Sequence, residues 1–409
     1  MPRSFYNLVI SMSSSRLSFA FFTMTFITIL YSETGSATLA STVTLTTTVA
    51  QIVCGIFLPG LTKLYSSKAI LYFSQISQLI IFILLVIFFN LDLSNFTIVL
   101  LFVLNFFLGL FYAATNPIKN AIVPRIIENN VLVRANTFLA TSDQTLLLIG
   151  WTLGGVLIAK LGDTILLMIS FVLLTISLIS LKLTNIPSDT RSLKKSKRYA
   201  VFYKTWTVLF THPKLRTITL MDITHGFGGT VWIGAVTLAF VTEVYNLGES
   251  WWGYINAAYF TGTILGGLFI WKVANRIQNN YIKAILISSF SLAILTISYG
   301  IIPISFIGLV LVVIMGPFFQ LMSISTRSYI QQEIEKEELA SVFASRATLN
   351  QIIFSISIFL IGLIVDLFGA QFAYMFSGAL LFISTIIGTW SFKSARIDSG
   401  KNMQKEVNT

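Results

Sequence analysis

The chain has 409 residues, of which 55% are hydrophobic and only 11% charged, with a formal net charge of +11 and a mean hydropathy of +0.82. A soluble globular chain is about one quarter charged because its surface must be solvated, so most of this surface is expected to face something other than water. One cysteine, Cys54, excludes a disulfide framework or a thiolate metal cluster, and two histidines, His212 and His225, argue against a metalloenzyme.

A bilayer core of about 30 Å needs roughly 20 apolar residues per spanning helix, which leaves room for about twelve to thirteen spans and their loops. In chain order the apolar runs predict helices at 17–32, 37–61, 69–90, 96–118, 136–159 and 163–184. A second set follows at 215–241, 252–272, 281–302, 305–326, 341–366 and 371–392. The first run leads straight into the second, which does not fit a cleavable signal peptide. Between the two sets lies the longest polar stretch, Pro187 to Tyr203, with Arg191, Lys194, Lys195, Lys197 and Arg198. The expectation is an all-α membrane protein of twelve transmembrane helices in two pseudo-symmetric six-helix halves. Its parts are an N-terminal half at 1–185, a basic linker at 186–206, a C-terminal half at 207–393 and a tail at 394–409.

Loop charges predict the orientation, because Lys and Arg resist translocation. With the N-terminus inside, the cytoplasmic loops collect Lys63, Lys68, Lys119, Arg125, Arg134, the linker cluster, Lys272, Arg276, Lys283, Arg327 and Lys336. The outer loops hold Lys160 alone among bases, with Glu33, Asp92, Asp163, Glu243, Glu249 and Asp366. The excess positive charge is therefore topogenic and calls for no nucleic-acid partner. Both termini are expected in the cytoplasm of a bacterial inner membrane. The loop Pro124–Glu128 with Arg134 is echoed by Arg327–Glu333 with Glu338 and Arg346, as in carriers built from duplicated halves.

The stretch from Gly109 to Gly162, with Asn116, Pro117, Pro124, Asn136, Gly150, Gly154 and Gly155, resembles the major facilitator superfamily, in its branch of macrolide and enterobactin exporters. Gly266 and Gly267 fit the same branch. The resemblance implies a monomeric carrier working by alternating access. It also implies a cavity lined by helices 1, 4, 7 and 10 and close contact between helices 5 and 8. Gly150, Gly154, Gly155, Gly262 and Gly266 are its expected packing and gating residues. Two motifs depart from the family. The gate between helices 2 and 3 lacks its acid and keeps one base, Lys68, and the related loop has Asn275-Arg276 in place of Asp-Arg. In the antiporter motif of helix 5, Trp151 stands where proline is usual.

Ionisable groups inside a membrane are costly and point to function. Asp143 and Asp222 each fall about two turns into a predicted helix, and His225 follows Asp222 by three residues on the same face. A carboxyl that is neutral on one side of a transport cycle and charged on the other couples proton entry to substrate exit, and an imidazole suits a relay. Hydrated or paired acids near helix ends, with Arg16, Arg134, Arg216 or Arg346 as partners, are the alternative. Glu33, closing helix 1, is a further proton candidate. Phe22, Phe26, Asn105, Phe106, Tyr112, Asn116, Trp232 and Gln320 are expected to line a substrate cavity, mostly apolar with a few polar groups. The hydroxyls of Thr42, Thr44, Thr46, Thr47 and Thr48 are expected to bond carbonyls one turn back or to join a neighbouring helix.

The expected function is proton-coupled export of a small amphiphile, a drug, macrolide or siderophore, with no cofactor. The alternatives are a nutrient importer on the same fold and a sensor that no longer transports. A membrane enzyme fits poorly, since the loops carry no nucleophile–base set and no metal-ligand spacing.

Overall fold

The structure is a computed structural model and describes residues 1–34, 37–89, 94–186, 206–232, 234–248 and 250–407. Among these residues there is no strand. The helices are α1 (Arg3–Thr34), α2 (Ala37–Leu64), α3 (Ser67–Phe89), α4 (Asn95–Ala113), α5 (Thr115–Ile126), α6 (Leu132–Leu161) and α7 (Asp163–Lys182). Then come α8 (Pro213–Gly229), α9 (Gly234–Glu243), α10 (Ser250–Gln278), α11 (Tyr281–Ile301), α12 (Ser305–Glu333) and α13 (Leu339–Val407). The expected linker lies, but for its ends, outside the described residues.

Nine of these helices are long and apolar enough to cross a bilayer, and α8 with α9 makes a tenth as one bent span. The last helix holds two span lengths, parted at Gly369, whose φ of 83° only glycine adopts without strain. By its length of about 45 Å, α6 with its 30 residues could also cross, and a twelve-span arrangement is compatible with these helices.

Three expected helices come out differently. The first begins at Arg3, not near residue 17, because Phe5, Leu8 and Met12 recur at helical spacing and are buried. Ser11 and Ser15 had masked that apolar stripe. The fourth is split at Ala114. Pro117 carries no N–H to complete the ladder there, and the chain restarts as α5 and runs through Pro124 to Ile126. The seventh breaks in the glycine-rich run from Gly226 to Gly234, where a 3-10 turn, Thr230–Trp232, bends the span by 48°.

The chain forms two compact units, each holding a segment from the other half of the sequence. The first comprises 1–129, 142–205 and 335–348, and the second 130–141, 206–334 and 349–409. In the first unit Phe22, Phe26, Leu30, Phe82, Leu101 and Leu174 build the core. Its borrowed segment is fastened by Arg125, whose Nη2 donates to the Lys336 carbonyl at 2.8 Å, and by Lys63 at 4.0 Å from Glu338. Thr348 lies so close to Gly55 of α2 that a Cβ there would overlap its hydroxyl. The second unit is centred on Val231, Phe240, Tyr299, Val312 and Tyr374. Its borrowed segment is held by fully buried Asn136, whose amide donates to Ser328 Oγ at 2.8 Å and to Gln331 Oε1.

Candidate functional site

The first unit brings three charges together. Arg16 stands on α1, Asp143 on α6, and Lys119 on α5, the short helix made by the break at Ala114. Thr115, Ile118 and Ile122 are buried around Lys119 on that helix, which carries the lysine inward to 2% exposure. The Asp143 carboxylate meets Arg16 Nη1 at 2.9 Å and accepts from Lys119 Nζ at 3.1 and 3.3 Å. The side chains of Asp143 and Arg16 are 18% and 26% exposed. A charge this far from water persists only when paired and hydrogen-bonded, and the triad meets that need while keeping one positive charge in excess.

An aromatic platform adjoins it. Phe19, one turn beyond Arg16, stacks face to face on Tyr112 of α4, with centroids 3.9 Å apart and planes within 2°. Tyr112 lies within electrostatic reach of both Arg16 and Asp143. One acid, two bases and two stacked rings, one of them a phenol, therefore share one site, which suits a molecule with an apolar body and a polar end.

Lys119 was expected in a cytoplasmic loop and is instead a buried ion-pair partner, and of the four arginines offered as partners in the alternative reading Arg16 is the one that pairs with Asp143. Asp222 and His225 share one face of α8 and interact electrostatically, and His225 Nε2 is buried without a hydrogen-bond partner among the described residues. Glu33 is exposed at the end of α1.

The cavity candidates are divided in their placement. Phe22 and Phe26 are core side chains and not cavity walls, at 1% and 0% exposure, with rings against Phe82, Phe89 and Phe102. Asn105 is likewise buried and ties α4 to α2 through the Val43 carbonyl at 3.2 Å. Phe106 is half-buried against Phe107, and Asn116 is exposed. In the second unit Trp232 packs at the bend between α8 and α9 on Tyr299 and Tyr374. The Nε2 of buried Gln320 finds no hydrogen-bond partner among the described residues.

The glycines pack differently from the expectation as well. Gly150 faces Ala20 and Leu17 of α1. Gly262 and Gly266 press on α12 at Val313 and Pro317, and the glycine of α10 that abuts α6 is Gly267, against Thr141. Gly154 and Gly155 fall in the stretch of α6 whose side chains lie outside the described residues. The Nζ of Lys68 donates to the Thr184 carbonyl at 2.9 Å, just past the end of α7. Arg276 is exposed. The threonines of α2 behave as expected, with Thr46, Thr47 and Thr48 donating to carbonyls one turn back.

The sequence profile of the Major Facilitator Superfamily matches residues 8–358. The chain is 36% identical over 390 residues to the uncharacterized MFS-type transporter YfmI of Bacillus subtilis (strain 168), covering 95% of this chain and 96% of that one. It is 29% identical over 293 residues to the uncharacterized MFS-type transporter YjbB of the same organism, covering 71% of each. Among solved structures, an outward-facing bacterial homologue of the iron transporter ferroportin superposes with a TM-score of 0.79 at 10% identity, over 96% of this chain and 100% of that one. The human organic anion transporter MFSD10 gives 0.71 at 13% identity, over 95% and 100%. The E. coli fucose:proton symporter FucP gives 0.75 at 13%, over 95% and 98%. Identities this low speak for the fold alone.

Proposed function

Because the chain belongs to the Major Facilitator Superfamily of multi-pass membrane transporters, we propose that it exports a small amphiphilic molecule in exchange for protons, with Asp143 as the coupling group. The observation behind this reading is the carboxylate of Asp143 held between Arg16 and Lys119 on three different helices. Ionised, Asp143 ties α1, α5 and α6 together and offers lone pairs to a substrate hydroxyl or amine lying on the Phe19–Tyr112 platform. Protonated, it loses both ion pairs and much of its strength as an acceptor. Proton and substrate thus compete for one carboxylate, and that competition is the condition for exchange. Asp222 and His225 would pass protons in the second unit, and the basic loops support an orientation with both termini in the cytoplasm.

A second reading has one observation in its favour. The triad carries one excess positive charge, so an organic anion could take the place of Asp143 on Arg16 and Lys119 once Asp143 is protonated. Anion and proton would then bind together, as in an importer.

Everted membrane vesicles from an efflux-deficient bacterium separate the two. The export reading expects energised uptake of a labelled macrolide or siderophore into these vesicles, abolished by a protonophore and by Asp143→Asn. Uptake of labelled organic anions into intact cells, increasing as external pH falls, would replace export with the importer. No transport in either arm, with the protein present in the membrane, would overturn both.

A further inference from the structure

The first unit holds a cavity away from the ion triad. Helices α3 and α7 run antiparallel and are fastened at one end, where Lys68 Nζ donates to the Thr184 carbonyl at 2.9 Å and Gln75 Nε2 donates to Ser177 Oγ at 2.7 Å. Phe82 and Phe171 still meet midway, with centroids 6.2 Å apart. Beyond them the helices part, and with α1 they enclose a wedge of about 760 Å³. Its walls are apolar, with Val86, Ile87 and Leu167 among them, and Met168 and Val172 stand at its open side with 63% and 54% exposure. The polar groups are confined to one end, where α1 and α3 finish and α7 starts. There Glu33 and Asp163 contribute two carboxylates beside Thr164. Asp163 Oδ1 accepts from the Thr164 amide at 2.8 Å. Exposed Lys160 forms no ion pair with either acid among the described residues.

We propose that this wedge binds a single-chain amphiphilic amine, with its tail between α3 and α7 and its ammonium between Glu33 and Asp163. The volume falls within the range of about 300–1,000 Å³ usual for small-molecule sites. From Phe82 to Phe89 the wedge is about 10 Å deep, a length suited to one alkyl chain. A charged head needs an opposite charge where the apolar walls end, and the two acids supply it without a base between them. An anionic amphiphile of the same length would meet repulsion at the same place. This site is independent of the transport reading, since the Asp143 triad takes no part in it.

The test uses the full chain in a neutral detergent, with native mass spectrometry to count bound dodecylamine, dodecyl sulfate or dodecanol. One dodecylamine is expected to stay bound, with dodecyl sulfate on the order of fivefold weaker, as befits two exposed charges. Glu33→Gln with Asp163→Asn should remove that preference, and Met168→Trp, which fills the open side, should reduce binding of all three. Ile83→Trp, on the α3 wall of the same wedge, serves if Met168→Trp fails to fold. Equal retention of amine and sulfate by the wild type would overturn the proposal. So would an unchanged preference in the double acid variant, or full occupancy in a well-folded tryptophan variant.

Discussion

Lys119 shows how a charge can be hidden among residues that look like a loop. It follows a proline and precedes a second one, and the run from Pro117 to Pro124 reads as a helix end. Its burial follows from position, since Thr115, Ile118 and Ile122 share its face of α5 and all are buried. Helix placement picked out Asp143 and left its partner open among four arginines, Arg16 included, whereas the lysine, 24 residues earlier, was not legible as a partner. The triad makes an ordered prediction. Asp143→Asn leaves two cations with no acid, Lys119 at 2% exposure among them, and should destabilise by about 3 kcal/mol or more. Lys119→Met leaves Asp143 still paired with Arg16, at a cost of about 1 kcal/mol. The double variant should recover part of the loss relative to Asp143→Asn, because the buried uncompensated ammonium is gone. Apparent melting temperatures in one detergent check the order, and a wild-type value for Asp143→Asn would contradict it.

At the scale of elements, backbones meet closely where glycines allow it, and those meetings join helices distant in sequence. Gly262, Gly266 and Gly316 bring α10 and α12 together with almost no side chain between them. Such seams are visible as small-residue spacings, but the sequence does not say which helix lies across the seam. That is why Gly262 and Gly266 were assigned to a contact with helix 5 that Gly267 makes instead. A Cβ at Gly267 would collide with Thr141 Oγ1 and stand 3.2 Å from Thr141 Cβ. Gly267→Ala should therefore cost about 1–3 kcal/mol, and adding Thr141→Ala should restore most of it. Thermal unfolding of the single and double variants decides the matter, and a harmless single substitution would show that the seam is slack. The breaks at Ala114 and between α8 and α9 were missed for a related reason. Hydropathy sums over a window and is blind to a single missing N–H or a short run of glycines.

The whole molecule was the most legible level, since apolar runs and basic loops alone specify a twelve-span bundle. The exchange of segments between the two units was not legible, because it rests on contacts such as Asn136 with Ser328 and Arg125 with the Lys336 carbonyl, made between residues 192 and 211 positions apart. Residues 1–185 expressed alone lack 335–348 and keep 130–141 without its partners. That fragment should be degraded or aggregate, and co-expression with 186–409 should rescue both pieces. Size-exclusion chromatography of tagged fragments reads the outcome, and a stable monodisperse N-terminal piece would count against the exchange. The odd charge of the triad has an electrical consequence too. Whichever partner they hold, the Arg16 and Lys119 side chains carry one more positive charge than Asp143 cancels. Moving one elementary charge across a membrane at 100 mV involves about 2.3 kcal/mol. A shift of these two side chains through even a tenth of that field does work on the order of 0.2 kcal/mol, so under the proposed carrier cycle the membrane voltage would bias which way the molecule faces.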